Sequence, residues 1–400
     1  MKSQILLLLL LSLQYSSQSI ISSLKDTSES LVSSVKNASE ALVSSVIPSL
    51  SSAEDSLKLV HVVFRHGNRN PDQNSLWTSN PYYDESNYPE GYGQLINKGK
   101  MTEYTLGQLL RFRYGNFLGN EWNINMLDVR TTDYNRTKMS GQLVLAGLFP
   151  PRGENIWNTL LNWQPIPYYY QALSNDRELM PLLCPDFQEE LEAAQDLPGV
   201  DSYLLERYEV AMDILNQKTD VDPDDYDSAA NMYFGMEIQE ELGFPLEDWT
   251  YLVYPEPLHS LTVDMYYILT NTTRLRRLVA GGLVSKILTD SESLSQGTLT
   301  PSDRKMFIYS AHENNVAALL LSLDVYQLVD VPPYGAVVMA ELHEIDGIYG
   351  IKLFYHDYTT TEPHGPLVIP GCAEFCPLDM FRSLVGEILP EGDEVCNLSA

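Results

Sequence analysis

Basic residues are scarce in this chain. Of 400 residues 25 are Lys or Arg and 54 are Asp or Glu, a formal charge of −29. A field of that sign repels polyanions, so nucleic acid is excluded as a partner. Cysteine is nearly absent as well, with four in the whole chain. Neither a pair of Cys-x-x-Cys elements nor a His at ligand spacing accompanies them, so no metal site is expected. Long hydrophobic runs are missing beyond the start. There, Lys2 precedes an apolar run from Ile5 to Leu13, with small residues in SSQS after it. That is the pattern of a signal peptide over residues 1–19, too short to span a bilayer. The C-terminal NLSA carries no greasy tail, so no stable membrane anchor is expected.

A secreted, extracellular protein is the expectation from that start. Four Asn-x-Ser/Thr sequons, at Asn37, Asn135, Asn271 and Asn397, fit the same route as candidate glycosylation sites. Asn135 stands at a segment that reads as a helix close to the candidate site. In an oxidising compartment an even number of cysteines implies disulfides. Cys372 and Cys376 are near enough for a local loop, which leaves Cys184 and Cys396 for a long-range tie; three connectivities remain open.

Residues 20–53 form a Ser-rich leader. SQSIISSL, SESLVSSV and SEALVSSV begin 11 residues apart at positions 17, 28 and 39. This period suits an almost straight amphipathic helix, marginal on its own.

The pattern changes at residue 57. LKLVHVVF is a near-continuous apolar run of strand length, typical of a strand buried on both faces; His61 within it reads as a core residue. A helix is expected over Asn97–Tyr114 with apolar positions at Met101, Tyr104, Leu109 and Phe112. MLDV then reads as a strand ending at Val129, followed by a helix with Thr-Thr-Asp (131–133) as its cap. Residues 156–299 hold helical segments and acidic linkers such as DVDPDD, and read as an inserted helical cap domain. MFIYS is the next strand, NNVAALLLSL the next helix, and Asp346-Gly347 the turn of an antiparallel hairpin. The fold class is therefore α/β: a mixed central sheet with flanking helices, built from 54–155 and 300–400, plus the helical insert. Gly281-Gly282 reads as a packing feature, since no Lys-Ser/Thr follows at phosphate-loop spacing.

The scarce cations are not spread evenly. In VFRHGNRNP, Arg65, His66 and Arg69 sit just past the first strand, Arg130 ends the second, and His312-Glu313 come after the third. Ligands bind open α/β sheets at the carboxyl ends of the strands. Guanidinium forks match phosphate oxygens and offset their charge in a transition state. A neutral imidazole among them is a nucleophile toward phosphorus, and a carboxylic acid can protonate a departing alcohol. Gly67 reads as a place where the backbone approaches the ligand.

Arg65-His66-Gly67-Asn68-Arg69-Asn70-Pro71 resembles the signature of the histidine acid phosphatases. Val129-Arg130-Thr131-Thr132-Asp133 with Arg136-Thr137-x-Met139-Ser140, Tyr309-Ser310-Ala311-His312, Trp163-Gln164-Pro165-Ile166-Pro167 and the Pro370 to Pro377 stretch are similar to further family segments. The resemblance covers about residues 57–396. It implies His66 as the catalytic nucleophile, Arg65, Arg69, Arg130 and His312 as substrate ligands, and Glu313 as proton donor where Asp is usual. It also implies pairing of Cys372 with Cys376 and of Cys184 with Cys396, a small phosphate monoester as substrate, no cofactor, no metal, and a homodimer. Two other readings stay open: an inositol polyphosphate phosphatase (phytase), or a secreted binding or effector protein on the same fold with weakened catalysis.

Overall fold

The computed structural model describes residues 56–219, 221–222 and 225–391. The signal segment, the leader repeats, Asn37, Asn397 and Cys396 lie outside the described residues. Eight strands form one sheet: β1 (Leu57–Arg65), β2 (Leu127–Thr131), β3 (Tyr169–Tyr170), β4 (Met306–Ala311), β5 (Val337–Ile345), β6 (Ile348–His356), β7 (His364–Leu367) and β8 (Cys376–Pro377). The helices are α1 (Asn97–Leu118), α2 (Asn135–Leu148), α3 (Pro185–Gln195), α4 (Pro198–Lys218), α5 (Tyr226–Glu241), α6 (Leu258–Ile268), α7 (Thr273–Val279), α8 (Gly281–Ser295), α9 (Glu313–Ser322) and α10 (Leu378–Val385). The sheet order is β3-β2-β4-β1-β5-β6-β7, with β8 also paired to β6. β3, β2, β4 and β1 run parallel; β5, β6, β7 and β8 join by antiparallel pairing.

β1 is apolar at six of its nine positions because both its faces are covered. Leu59 and Val63 join a core with α3 to α9, while Val60, Val62 and Phe64 join a second core with α1 and α2. The same alternation holds in β4, where Phe307 and Tyr309 face the first core and Met306 and Ile308 the second. A strand buried on two faces loses the polar alternation of a half-exposed one. His61 is a core residue: its Nε2 lies 3.0 Å from Asp290 Oδ2 and its ring stacks on Phe307. Residues 156–299 carry α3 to α8 and only the two-residue β3.

The hairpin forms as expected. Asp346 and Gly347 both have positive φ, 52° and 78°, and connect Ile345 to Ile348. A two-residue turn of this hand matches the twist of the strands it joins.

Two expectations need correction. The first concerns the buried face of α1. It is Gly99, Glu103, Leu106, Gly107, Leu110, Tyr114 and Leu118, whereas Met101 and Phe112 are 60% and 89% exposed. Glycines set that face: a Cβ on Gly107 would stand 2.2 Å from Val144 O, and one on Gly147 2.3 Å from Tyr104 O. Backbone contact between α1 and α2 thus decides the rotation of the helix. The second concerns the cap. α2 has Tyr134 at its N-cap with no side-chain cap bond. β2 runs on through Thr131, and Thr132 lies beside the second histidine of the candidate site. Gly67 packs closely as well: a Cβ there would stand 2.4 Å from Gly99 O. Gly281 also packs closely, against Ile388 O.

Cys372 and Cys376 form a disulfide. Cys184 is disulfide-bonded too; the partner expected for it, Cys396, falls outside the described residues. Among those residues no helix is long and apolar enough to cross a membrane.

Candidate active site

Strand register assembles the site. β1 and β4 pair in parallel with Arg65 opposite Ala311, and β2 pairs with β4 with Thr131 opposite Ser310. The residues just past those ends, His66, His312 and Thr132, therefore leave the sheet side by side. The two imidazoles meet edge to face with centroids 5.4 Å apart. Thr132 Oγ1 lies 3.0 Å from His312 Nε2.

Each ring has an assigned proton. His66 Nδ1 is 2.9 Å from the Gly67 carbonyl, which can only accept, so Nδ1 carries the hydrogen and Nε2 keeps its lone pair. The His312 ring accepts the Asn315 backbone N–H as the cap of α9, which leaves its own proton for Nε2. Burial holds both rings well below the ordinary histidine range, and Arg136 is the leading charge acting in the same direction on each. For His66 the remaining causes are His312, Arg69 and Arg65. Both shifts favour the neutral ring over the charged one.

Arginines surround them. Arg65 is buried, donates from Nη1 to Pro332 O at 2.7 Å, and lies with its Nε 3.3 Å from Glu313 Oε2. Its guanidinium sits over the Tyr334 ring at 4.0 Å. Arg69 and Arg136 share one counter-ion: Asp72 Oδ2 is 3.1 Å from Arg69 Nη1, and Asp72 Oδ1 is 3.3 Å from Arg136 Nη1. Burial, then repulsion from Arg69, lowers the Arg136 guanidinium. Buried Nε atoms of Arg69 and Arg136, like that of Arg130, have no hydrogen-bond partner in the protein, and Arg65 Nε meets only the Glu313 ion pair. A cradle of three guanidiniums with spare donors suits a tetrahedral oxyanion.

Arg130, expected as the third guanidinium, is committed elsewhere. It is ion-paired to Asp176, at 2.5 Å, and to Glu178. It lines a separate cavity of about 320 Å³ with Asn175, Arg177 and Gly282. It is also not among the leading charges that act on either histidine. The physical reason is position. Arg130 lies one residue short of the end of β2, opposite Tyr309, while Arg65 is the last residue of β1 and the two histidines lie past the strand ends. Arg136, in the first turn of α2, takes the place. The signal was present, since Arg136 stands in the first helical turn after the strand.

Glu313 is the first residue of α9, beside His312. His66, His312 and Glu313 offer ligand atoms within 4.8 Å of one another, a spacing that a metal ion could use. Three guanidiniums around them oppose a divalent cation and favour an anion. Asn135 and Asn271 are both exposed.

Comparison with known proteins agrees with this geometry. The histidine phosphatase superfamily (branch 2) matches residues 56–356. The chain belongs to that family. It is 34% identical over 355 residues to venom acid phosphatase Acph-1 of Apis mellifera, covering 88% of this chain and 90% of that one. It is 35% identical over 341 residues to human prostatic acid phosphatase, covering 84% and 86%. Lysosomal acid phosphatase of Xenopus laevis is 31% identical, over 88% of this chain and 81% of that protein. Acid phosphatases are phosphoric monoester hydrolases. In fold the chain is similar to the phytase of Citrobacter braakii, with a TM-score of 0.63, 18% identity, and coverage of 84% and 98%.

The two arginines separate by experiment. Arg136→Gln should lower kcat/KM by about 10²- to 10³-fold. It should also move the acid limb of the pH–rate profile upward, because a charge that depresses His66 is gone. Arg130→Gln should instead cost stability, about 3–5 kcal/mol, by leaving Asp176 buried without its partner. Steady-state kinetics and thermal denaturation read the two. Unchanged kcat/KM in R136Q would remove Arg136 from the site.

Proposed function

We propose that the protein is a secreted acid phosphatase that hydrolyses phosphate monoesters through a phosphohistidine on His66. The observation that carries this reading is the His66 ring, whose Nδ1 is held by the Gly67 carbonyl so that Nε2 keeps its lone pair, within the field of Arg136, Arg69 and Arg65. In the first step Nε2 bonds to phosphorus and the P–O bond to the alcohol breaks. Arg65, Arg69 and Arg136 hold the phosphoryl oxygens, and His312 donates a hydrogen bond to one of them. Glu313 delivers its proton to the departing oxygen. In the second step water attacks phosphorus, gives a proton to the Glu313 carboxylate, and frees inorganic phosphate and His66. Glu313 replaces the usual Asp with one more methylene, and its contact with Arg65 places it at the edge of the cradle.

The sequence relatives favour this reading over a phytase, since those named are acid phosphatases, while the phytases are similar in fold at 18% identity or less. A binding protein with lost catalysis fits less well, because an imidazole, three guanidiniums and a carboxyl group come together at one end of the sheet, the set that the chemistry needs. The apolar start of the chain and the venom relative support secretion; the lysosomal relatives support the competing destination. The sequons at Asn135 and Asn271, both exposed, fit glycosylation, and Cys396 is the partner we assign to Cys184.

An exposed apolar surface supports the homodimer. Trp157, Leu160, Leu161 and Trp163 lie on the loop that leads into β3, the edge strand, and Leu160 is 95% exposed. Such a patch beside an open sheet edge marks an interaction surface. Leu160→Glu should convert the dimer to a monomer in light scattering; a wild-type protein that is monomeric at micromolar concentration would refute the pairing.

Turnover of p-nitrophenyl phosphate tests the chemistry. His66→Ala should abolish it, and substantial remaining activity would refute the nucleophile. Glu313→Gln should cost alkyl phosphates more than aryl phosphates, whose leaving groups need less protonation. Equal losses would end the acid role.

A further inference from the structure

The wall beside Glu313 is aromatic near the cradle and acidic beyond it. It comes from one face of α5, where Phe234, Glu237 and Glu241 recur at helical spacing. Phe234 lies 5.5 Å from the Arg65 guanidinium carbon. Glu241 accepts from Asn68 Nδ2 at 2.7 Å. With both flanking residues touching the signature loop, Glu237 between them faces it too. Glu241 is neutralised by Lys98 at 2.6 Å. Glu237 instead accepts a hydrogen bond from the Tyr233 hydroxyl at 3.2 Å. Burial pushes its carboxyl up from the ordinary range, with the Arg65 charge opposing and those of Glu241 and Asp330 adding to the rise. Arg65 itself is shared with Glu313 and Pro332 O.

A second observation points into the same space. Tyr266 is 5% exposed and its hydroxyl has no partner. Glu313 is the first charge to act on that phenol after burial, with Arg65 and Glu237 next. The Tyr334 hydroxyl is buried without a partner as well, on a ring that touches both Arg65 and His66. Two idle hydroxyls and an undercompensated carboxylate thus surround the place where the alcohol half of a substrate leaves.

We infer that this wall selects phosphate monoesters whose alcohol carries an ammonium group, with Glu237 as its counter-ion and Phe234 and Tyr334 as flat walls along the chain between. The inference rests on the phosphatase reading above and deepens it. An ammonium ion supplies the charge that Glu237 lacks, and aromatic faces attract cations. A substrate with further phosphates would meet repulsion from the same carboxylate.

Two matched probes test it from mildly acidic to neutral pH: 4-(aminomethyl)phenyl phosphate, whose alcohol half carries an ammonium, and 4-methylphenyl phosphate, whose alcohol half is uncharged. The ratio of their kcat/KM values should favour the ammonium probe in the wild type. In Glu237→Gln the ratio should fall about tenfold, and Glu237→Asp should restore much of it. The intrinsic reactivity of the two phenols is the same with each enzyme, so the change in ratio reads the wall alone. Turnover of both probes with a ratio unchanged in E237Q overturns this inference and leaves the phosphatase standing. No turnover of either probe by the wild type overturns both.

Discussion

Parallel pairing of β1 with β4 sets Arg65 opposite Ala311, and the next residue of each strand is a histidine. That register is the constraint on which the site depends. It fixes the edge-to-face contact of His66 with His312 without help from any loop. It also aligns Thr132 at the end of β2, so one hydroxyl orients the second ring. A slip of one residue in either pairing would send a histidine to the opposite face of the sheet. Cores on both faces oppose such a slip, because every strand residue would then exchange its packing partners.

The cradle works against the charge of the whole chain. Two unit charges 6 Å apart repel by roughly 3 kcal/mol at an effective dielectric of about 20, so three guanidiniums at one strand end need compensation. Asp72 supplies it for Arg69 and Arg136, and Glu313 does so for Arg65 until a bound phosphate replaces it and leaves its carboxyl group to serve as the acid. These carboxylates keep the arginines aimed while leaving donors unused. The cost falls on the histidines, whose charged forms burial and the guanidiniums disfavour. Neutrality is what a nucleophilic imidazole needs in acid, where an ordinary histidine would be protonated. The acidic surface is a second consequence: the net charge of −29 is screened by salt beyond about 8 Å at physiological ionic strength, so a buried anion site can coexist with it.

Much of this was legible in the residues. The five longer strands announce themselves by apolar runs and the hairpin by Asp346-Gly347, whereas the short β3, β7 and β8 carry no such run. What escaped was everything set by packing between distant elements. The face of α1 is chosen by Gly107 against Val144 and Gly147 against Tyr104, and glycines carry no hydrophobic signal. Arg130 and Arg136 are six residues apart in one motif. Only the extent of β2 decides which one reaches the histidines, and element ends are the least readable feature of a sequence. Asp72, Tyr266, Tyr334 and Glu237 are ordinary polar residues until the fold places them beside Arg65, Arg69 and Arg136.

The central claim is that the phosphoryl group passes through His66. Rapid acid-free quenching during turnover of a labelled monoester, then peptide mapping under alkaline conditions, tests it directly. The account predicts phosphate on the peptide that contains His66, lost on brief acid treatment and absent in His66→Ala. Label on another residue, or full turnover with no covalent phosphate at any time, would contradict it.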